Sequence, residues 1–195
     1  MKRVVDTLLI VMSFPFLLPM LLVVACIVAR DGNGPLYSQK RLGRGGRVFR
    51  IWKFRTMVPD AEAELKRMIA RDPEIAEEWH THQKLKHDPR ITKIGHILRK
   101  TSIDELPQLW NVLKGDMSLV GPRPMLTDQQ ELYPGTAYFE MRPGLTGLWQ
   151  ISDRHNTTFA ARASFDATYY QQMSFATDCR IMASTVGVVM RGTGC

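Results

Sequence analysis

Residues 7–29 read TLLIVMSFPFLLPMLLVVACIVA, an apolar run of 23 residues without a charge. One straight α-helix of that length would measure about 35 Å, which is enough to cross the hydrocarbon core of a bilayer. Basic residues flank the run, two before it and four soon after it: Lys2, Arg3, Arg30, Lys40, Arg41 and Arg44. The sequence therefore predicts a membrane segment with a basic collar.

Three interpretations of this apolar run are open. A secretory or lipoprotein signal is suggested by residues 23–26, VVAC, which resemble a lipobox, but Asp6 and the basic block that follows argue against export. A spanning helix is the ordinary interpretation of a run this long. The third is a re-entrant helical hairpin, which enters and leaves the membrane on one side.

The re-entrant hairpin accounts for two features that a spanning helix does not. Cations flank both ends, and the positive-inside tendency draws both to the cytoplasm. Pro15 and Pro19 lie near the middle, where each removes a helix hydrogen bond and favours a bend. Ser13 is placed to bond a carbonyl freed at the break. We therefore expect residues 1–33 to form a re-entrant membrane segment broken at Ser13, Pro15 or Pro19, and which proline bends it stays open.

The basic charge of the chain is concentrated beside this segment. Residues 1–58 hold ten Lys and Arg and two acidic residues, whereas residues 59–195 hold sixteen and seventeen. The apolar content of 45% excludes a disordered chain, and three widely spaced cysteines without a CxxC pair support neither a disulfide framework nor a thiolate zinc site. A length of 195 residues suits one compact domain with an appendage, so we expect a single domain over residues 34–195.

A basic β-hairpin is predicted directly after the membrane segment. Residues 34–57 read GPLYSQKRLGRGGRVFRIWKFRTM, in which three glycines between residues 43 and 46 separate two β-prone stretches. The glycines do not complete a GxGxxG pattern and no P-loop is present, so neither familiar nucleotide-binding loop is indicated. The cations, Lys53 and Arg55 above all, either attract anionic lipid or bind a phosphorylated substrate, and residue type leaves both open.

Helices are predicted through the middle of the chain. Residues 60–71 and 73–86 are both predicted to be helical, the first with Leu65, Met68 and Ile69 on one face, and an Asp-Pro pair separates them. A further helix after residue 90 would carry Arg99 near its far end.

Residues 101–124, TSIDELPQLWNVLKGDMSLVGPRP, contain two adjacent carboxylates, Asp104 and Glu105. A proline two residues later favours a first helical turn, which places both acids near a helix N-terminus. The helix dipole and Arg99 would favour the ionised carboxylate that a nucleophile or a Mg²⁺ ligand must be. The alternative is structural, because Ser102 and Glu105 have the spacing of a capping box and Asp104 is then a first-turn acid only.

Four motifs in this order resemble the bacterial sugar transferases, which are monotopic phosphoglycosyl transferases similar to undecaprenyl-phosphate galactose or glucose phosphotransferases. They are KFRTM at 53–57, DPRIT at 88–92, LRKTSIDELPQLWNVLKGDMSLVGPRP at 98–124 and RPGLTGLWQ at 142–150. The resemblance implies a mainly helical α+β fold. Its parts would be the re-entrant hairpin and a small cytoplasmic catalytic domain with a short β-hairpin and interfacial amphipathic helices.

The resemblance also implies a reaction in two steps. A sugar 1-phosphate moves from a UDP-sugar to a polyprenyl (undecaprenyl) phosphate, and UMP is released. Asp104 would attack the β-phosphorus and form a covalent phosphosugar-aspartate, while Glu105 would bind the Mg²⁺ that bridges the diphosphate. The residues that would neutralise phosphate charge are Lys53, Arg55, Arg99, Arg123, Arg142 and Arg154. For Arg123 the alternative is a structural salt bridge.

The same resemblance implies a place in the cell. The catalytic domain would lie on the cytoplasmic face of the bacterial inner membrane, where a polyprenyl phosphate keeps its charged head at the interface. The reaction would be the first membrane step of exopolysaccharide, capsule or O-antigen synthesis, upstream of further glycosyltransferases, and a homodimer is compatible with the family. Galactose and glucose are the expected sugars, although the residues do not determine the choice and diamino sugars stay open.

A second function from another class is a non-catalytic membrane-surface protein that binds anionic lipid or nucleic acid through its basic N-terminal third. Nucleic acid is not an expected partner, because the basic block adjoins the membrane segment and no nucleic-acid-reading motif is present.

Overall fold

A computed structural model describes residues 2–83, 85–152 and 158–191. Across these ranges the chain is mainly helical with two small β-sheets, which confirms the predicted α+β class. The division into residues 1–33 and 34–195 stays a prediction.

The apolar run forms one continuous α-helix, α1, over Lys2–Val28. By length and composition α1 is able to cross a membrane, since its most apolar window of 18 residues has a mean hydropathy of 2.6. Pro15 and Pro19 both lie inside the helix, with no interruption of its α-helical structure. The re-entrant hairpin is therefore not seen as two separate helices and stays a prediction.

The hydroxyl of Ser13 bonds within α1, but not to the carbonyl that a proline frees. Its Oγ donates to the carbonyl oxygen of Ile10 at 2.9 Å. The carbonyl that Pro15 deprives of its donor is the one four residues earlier, on Val11. The predicted hydrogen bond from Ser13 to an earlier carbonyl of the helix is confirmed, but the predicted acceptor was wrong. The short Ser side chain reaches the carbonyl three residues earlier.

The rest of the protein holds α1 near its two ends only. Ile10 joins one core cluster, whereas Val24 and Val28 join another. No residue from 11 to 23 is buried, and Phe16 keeps 82% of its surface exposed. The long exposed apolar surface between the two contacts supports association with a membrane.

A β-hairpin follows, as predicted. Strands β1, Leu36–Leu42, and β2, Val48–Phe54, pair antiparallel and are joined by a 3₁₀ turn over Arg44–Gly46. Gly45 and Gly46 have φ values of 65° and 75°, a region that residues with a side chain rarely adopt. The glycines therefore permit the tight connection.

Helices α2, Ala61–Arg71, and α3, Pro73–His82, occupy the two predicted stretches. The Asp72 carboxylate starts α3 by accepting from backbone N–H groups of its first turn. The structure ends α3 four residues before the predicted end, because Gln83 turns to a left-handed φ of 54° and its N–H bonds the carbonyl of Trp79.

Helix α4, Lys93–Lys100, packs against the end of the hairpin. Its first turn is capped by the Thr92 hydroxyl, which accepts from the N–H of Gly95 at 2.9 Å. A Cβ at Gly95 would lie 2.0 Å from the carbonyl oxygen of Thr56, so only glycine allows this approach. Close packing therefore fixes α4 beside the last residues of the hairpin.

A second sheet was not predicted. The short strands β3, Ser118–Val120, and β4, Gly144–Thr146, pair in parallel. The backbone after β3 approaches β4 so closely that a Cβ at Gly144 would lie 2.1 Å from the backbone nitrogen of Gly121. This sheet joins two sequence motifs that lie more than twenty residues apart.

Shorter elements complete the described chain. They are a 3₁₀ turn at Ile103–Gln108 and helices α5, Leu109–Lys114; α6, Ala137–Glu140; α7, Leu148–Ile151; α8, Arg162–Gln172; and α9, Phe175–Met190. The start of α1 is tied to this last part, because the Nζ of Lys2 bonds the carboxylate of Asp178 and donates to the hydroxyl of Tyr169 at 3.1 Å.

Candidate active site

The two adjacent carboxylates lie in the 3₁₀ turn at Ile103–Gln108, just before α5. Ser102 precedes the turn with a left-handed φ of 56°, which separates it from α4. Asp104 is buried, with 6% of its surface exposed, and Glu105 is half-buried. The local turn therefore directs both acids toward the protein rather than into solvent.

The Glu105 side chain accepts from two cations that come from different parts of the sequence. Its Oε1 accepts from the Nζ of Lys53 at 2.7 Å and from the Nη2 of Arg123 at 3.0 Å. Lys53 lies in β2 and Arg123 follows β3, so both sheets contribute to the site. The alternative of a capping box with Ser102 was wrong, because that side chain makes no capping hydrogen bond.

These cations set the charge of Glu105. Burial opposes its ionisation, but Arg123 and Lys53 together hold its pKa well below the usual range. Burial also lowers the pKa of Lys53, an effect that Glu105 opposes. Glu105 is therefore an anion at every pH at which the protein would work, with its charge shared between two partners.

Asp104 behaves differently from its neighbour. Burial, which outweighs the opposing charge of Lys53, raises the pKa of Asp104 to about 6, and the Glu105 anion adds to the rise. The expectation that Arg99 would favour the ionised form has the right sign, but desolvation is larger. The carboxyl is still mostly ionised at neutral pH.

Arg99 lies on the Asp104 side of the site. Its Nε donates to the Thr56 hydroxyl at 2.9 Å, and its charge reaches both Asp104 and Asp88. Asp88 forms a buried ion pair with Arg90, whose Nε donates to Asp88 Oδ1 at 2.7 Å. The pair lies beside the segment that carries Thr56, since the carbonyl oxygen of Arg90 accepts from the N–H of Val58 at 2.9 Å.

The described contacts of Arg55, one of the predicted phosphate-binding residues, lie away from this point. Arg55 donates to the backbone carbonyl oxygens of Gly34 and Val28, at the end of α1. Arg142 contributes its backbone to the close packing around Gly121. Arg154 lies outside the described residues.

A small cavity opens between the two sheets beside Glu105. Its walls include Lys53, Glu105 and Arg123, together with residues that sequence reasoning missed, among them Arg41, Gln108 and Gly144. Alternate residues of a strand point to the same face of a sheet, and residues that lie directly opposite each other on paired strands share that face. Lys53 lies opposite Tyr37, and Tyr37 and Arg41 are four residues apart on β1, so Lys53 and Arg41 lie on one face of the hairpin. The strand alternation, applied to the predicted hairpin, was the signal that would have found Arg41.

A third arginine near this cavity was also missed. Arg162, at the start of α8, lies close enough to Arg123 and Arg41 for their charges to act on it. Its guanidinium contacts the ring of Phe159, three residues earlier in the sequence, and the ring of Trp149 on α7.

The carboxylate oxygens of the site are suited to bind Mg²⁺ together with a phosphorylated ligand. Within the described ranges, no group of three or more His, Cys, Asp and Glu side chains is arranged to hold a metal ion by itself. Proteins commonly hold Mg²⁺ through one or two carboxylates and the phosphates of a substrate. The adjacent carboxylates of Asp104 and Glu105 match that donor set, provided a phosphorylated ligand supplies the remaining oxygens.

The arrangement is suited to chemistry on a phosphate group. A buried, ionisable carboxylate lies beside several fixed cations, which stabilise the negative charge of a phosphoryl group and of its transition state. The carboxylate itself has an oxygen that is able to act as a nucleophile.

Comparison with known proteins agrees with this chemistry. The profile of the family described as bacterial sugar transferase matches residues 1–192. Over its whole length the chain is 45% identical to the UDP-galactose-lipid carrier transferase of Erwinia amylovora and 43% identical to the undecaprenyl-phosphate galactose phosphotransferase of Salmonella typhimurium. It spans 41% of the length of each of these relatives.

A shorter relative is matched almost from end to end. The chain is 42% identical, over 99% of its own length, to the exopolysaccharide production protein ExoY of Sinorhizobium fredii, of which it spans 87%.

Proposed function

Because the chain belongs to the bacterial sugar transferase family, we propose that it transfers a sugar 1-phosphate from a UDP-sugar to a polyprenyl phosphate and releases UMP. The names of two relatives make undecaprenyl phosphate the first acceptor to test and UDP-galactose the first donor. The observation that carries the proposal is the buried Asp104 carboxylate beside Glu105, whose Oε1 binds both Lys53 and Arg123.

In the first step an oxygen of Asp104 attacks the β-phosphorus of the donor. The bond between that phosphorus and the bridging oxygen breaks, and the electron pair leaves with the phosphate of UMP. A phosphosugar-aspartate remains on the protein. In the second step an oxygen of the polyprenyl phosphate attacks the same phosphorus, the bond to Asp104 breaks, and the carboxylate is restored. Neither step requires a proton to be gained or lost.

The positive side chains have separate parts in these steps. Arg99 and Lys53 lie near enough to Asp104 to oppose the rise in its pKa, so they keep the nucleophile ionised. Lys53 and Arg123 neutralise the charge of the phosphoryl group as it moves. Because Glu105 holds both of these cations, it positions them as well.

Glu105, assisted by Asp104, would hold Mg²⁺ against the diphosphate of the donor. When bound, the ion supplies positive charge at the phosphate oxygens, which complements that of Lys53 and Arg123.

We propose that α1 enters the cytoplasmic leaflet of the bacterial inner membrane and returns. Its two ends are held by the same domain while no residue from 11 to 23 is buried, which is the pattern expected if the middle of the helix meets lipid. The exposed side chains Ile94 and Ile97 on α4 are then the natural interfacial contacts of the catalytic domain. An active site at this depth reaches the acceptor's head group without extracting its lipid tail.

The remaining partners follow from this reaction. Polyprenyl diphosphate-sugar would be the substrate of further glycosyltransferases in exopolysaccharide, capsule or O-antigen synthesis, and a homodimer stays an expectation from the family resemblance. Arg55, Arg142 and Arg154 stay candidates for contacts with the nucleotide or with lipid. The non-catalytic alternative is not favoured, because the relatives carry the names of transferases.

The test is a single turnover without lipid. Purified protein, Mg²⁺ and UDP-galactose should release UMP in an amount equal to the enzyme. Undecaprenyl phosphate, added afterwards, should remove the covalently bound sugar phosphate from the protein. Asp104→Asn should abolish the burst. Asp128→Asn, a matched change at an exposed acid, should leave it intact. If lipid-supported turnover proceeds in wild-type protein that gives no burst, the covalent mechanism is wrong.

A further inference from the structure

A tyrosine hydroxyl joins two chain segments that face the cavity beside Glu105. Tyr138, in α6, is completely buried, and burial raises the pKa of its phenol, so the hydroxyl is neutral and is able both to donate and to accept. It donates to the carbonyl oxygen of Leu42 at 2.5 Å and accepts from the N–H of Met125 at 3.2 Å. Leu42 ends β1, and Met125 comes two residues after Arg123. The hydroxyl therefore ties the first sheet to the segment that carries Arg123.

Two further hydrogen bonds join the same two segments. The N–H of Leu42 donates to the carbonyl oxygen of Met125 at 3.0 Å. The Nη1 of Arg41 donates to the carbonyl oxygen of Pro124 at 2.9 Å, and both of these residues line the cavity. We call these two bonds, together with the two that the hydroxyl makes, the Tyr138 clasp. The clasp therefore fixes two parts of the cavity wall relative to each other.

The segment between β3 and the Tyr138 clasp has little freedom of its own. The second sheet holds its start, since the N–H of Gly121 donates to the carbonyl oxygen of Thr146, in β4, at 2.9 Å. A proline on each side of Arg123 restricts the backbone there. The segment is therefore held at one end by β4 and at the other by the clasp, with Arg123 between them.

The position of this segment determines where the guanidinium of Arg123 lies. Its Nη2 donates to the Oε1 of Glu105 at 3.0 Å, and this contact requires the backbone at residue 123 to stay in place. Removal of the Tyr138 hydroxyl would leave the buried N–H of Met125 without this acceptor, so the end of the segment would be free to shift. A displacement of about 1 Å in a group that acts on the reacting atoms is enough to slow a reaction about a hundredfold.

We propose that Tyr138 is a positioning residue for sugar-phosphate transfer: by holding the end of the segment, its hydroxyl fixes Arg123 at the place where that arginine contacts Glu105. The inference rests on the proposed function. Tyr138 is not among the described residues that line the cavity, so it acts through Arg123 and not on the substrate.

The first test compares two tyrosines of one aromatic cluster. Tyr133 and Tyr138 are both buried, and their ring centroids lie 5.8 Å apart. The hydroxyl of Tyr133 donates to the carboxylate of Asp166 at 2.8 Å, so it is not part of the Tyr138 clasp. Tyr133→Phe is therefore the matched control for Tyr138→Phe, because each change removes one buried hydroxyl and keeps the ring. Both variants should melt at a lower temperature than wild type.

The measured quantity is the first-order rate constant of the UMP burst, followed by rapid quench with Mg²⁺ and saturating UDP-galactose in the absence of lipid. A partly unfolded preparation gives a burst of smaller amplitude, but the rate constant of its folded fraction is unchanged. Tyr138→Phe should lower the rate constant by about tenfold to a hundredfold, whereas Tyr133→Phe should stay within about twofold of wild type. Rate constants that fall equally in the two variants, or in neither, would overturn the proposal.

The second test asks whether Tyr138 acts through Arg123. In Arg123→Gln the guanidinium is gone, so the exact place of residue 123 should no longer matter for the rate. Adding Tyr138→Phe to Arg123→Gln should then change the rate constant by less than about twofold, although the same change slows the wild type. Equal losses in the two backgrounds would mean independent roles and would overturn the proposal. If Arg123→Gln gives no measurable burst, Arg123→Lys, with its charge on a more flexible stem, takes its place, and equal losses there have the same meaning.

The outcomes separate this inference from the proposed function. Wild-type protein that forms no UMP contradicts the proposed function itself. If the wild type is active and Tyr138→Phe keeps its rate constant, the function stands and the positioning role is wrong. If Tyr138→Phe does not fold, 3-fluorotyrosine is placed at position 138 or at position 133, since it keeps the ring and the hydroxyl but alters the strength of the hydrogen bonds. A changed rate constant at position 138 alone supports the inference, and equal constants overturn it.

Discussion

At the scale of single residues, the buried carboxyl of Asp104 should make the first half-reaction sensitive to mild acid. Its pKa in the folded protein is raised to about 6, so the nucleophilic carboxylate is lost as the pH falls through that value. The single-turnover rate of UMP release, measured by rapid quench, should be half its plateau near pH 6 and should fall about tenfold for each further pH unit. A level rate down to about pH 4, the ordinary range of an Asp carboxyl, would contradict this prediction.

Glu105→Gln should damage both activity and stability. The change removes the anion that Lys53 and Arg123 share and leaves two half-buried cations facing each other. We expect transfer to fall by about a hundredfold or more and the free energy of unfolding to fall by about 3 kcal/mol.

The matched control for this prediction is Glu131→Gln, at an exposed acid. Its free energy of unfolding, from urea titration in detergent, should stay within about 0.5 kcal/mol of wild type. Equal losses in the two variants would mean that the ion pairs of Glu105 contribute nothing specific.

The kinds of side chain at the site could be predicted from the sequence, whereas the surroundings of each side chain could not. The adjacency of Asp104 and Glu105 is visible in the motif, and Lys53 stands out in a basic strand. Their opposite pKa shifts depend on which carboxylate the cations of β2 and of the segment after β3 touch, and that is a three-dimensional property. Arg162 was missed, because its nearness to Arg41 and Arg123 depends on how the start of α8 packs against the rest of the chain, although one of its ring partners, Phe159, lies only three residues before it.

At the scale of secondary-structure elements, the parallel pair β3 and β4 should tolerate no side chain at Gly144. A Cβ there would lie 2.1 Å from the nitrogen of Gly121 and 2.4 Å from the carbonyl oxygen of Thr146. Gly144→Ala should lower the free energy of unfolding by about 1–3 kcal/mol, because the backbones must separate. Gly34→Ala, at a glycine with open space around it, should cost less than about 0.5 kcal/mol. Thermal unfolding of the two variants in detergent compares them, and equal melting temperatures would refute the close approach.

The prolines of α1 give a second prediction at this scale. Pro15→Ala together with Pro19→Ala restores two backbone donors and removes the tendency to bend, so α1 should pass from a re-entrant to a spanning position. A cysteine in place of exposed Val4, in a background with the native cysteines changed to Ser, reports the side on which the N-terminal end lies.

The expected result is that an impermeant thiol reagent labels this cysteine from the cytoplasmic side in the protein with both prolines, and from the opposite side in the double variant. Labelling from the opposite side in both proteins would favour the ordinary spanning interpretation of α1.

Elements with a strong local pattern were predicted and those without one were not. The hairpin was found from its glycines and alternation, and α2 from its helical spacing. Strands β3 and β4 have three residues each, too few for a recognisable period, and they exist because glycine lets two backbones meet. The end of α3 moved for a similarly local reason, the left-handed turn at Gln83.

At the scale of the whole molecule, the protein should stay with the membrane when electrostatic attraction is removed. The apolar side chains of residues 11–23, none of which is buried within the protein, would hold it by burial in lipid, which salt does not weaken, whereas attraction between the basic collar and anionic lipid is screened at about 1 M salt. Vesicles washed at high salt should retain the protein, and detergent should release it. Release by salt alone would favour the surface-binding alternative.

The bond between Lys2 and Asp178 has a consequence for the order in which the protein is made. Synthesis at about 5–20 residues per second separates the two partners by about 10 to 30 seconds. During that interval the apolar helix has already left the ribosome, but the side chain that fastens its first turn does not yet exist. If α1 is the membrane segment proposed above, it is free to enter the bilayer during this interval, and the completed domain would then secure a segment that is already in place.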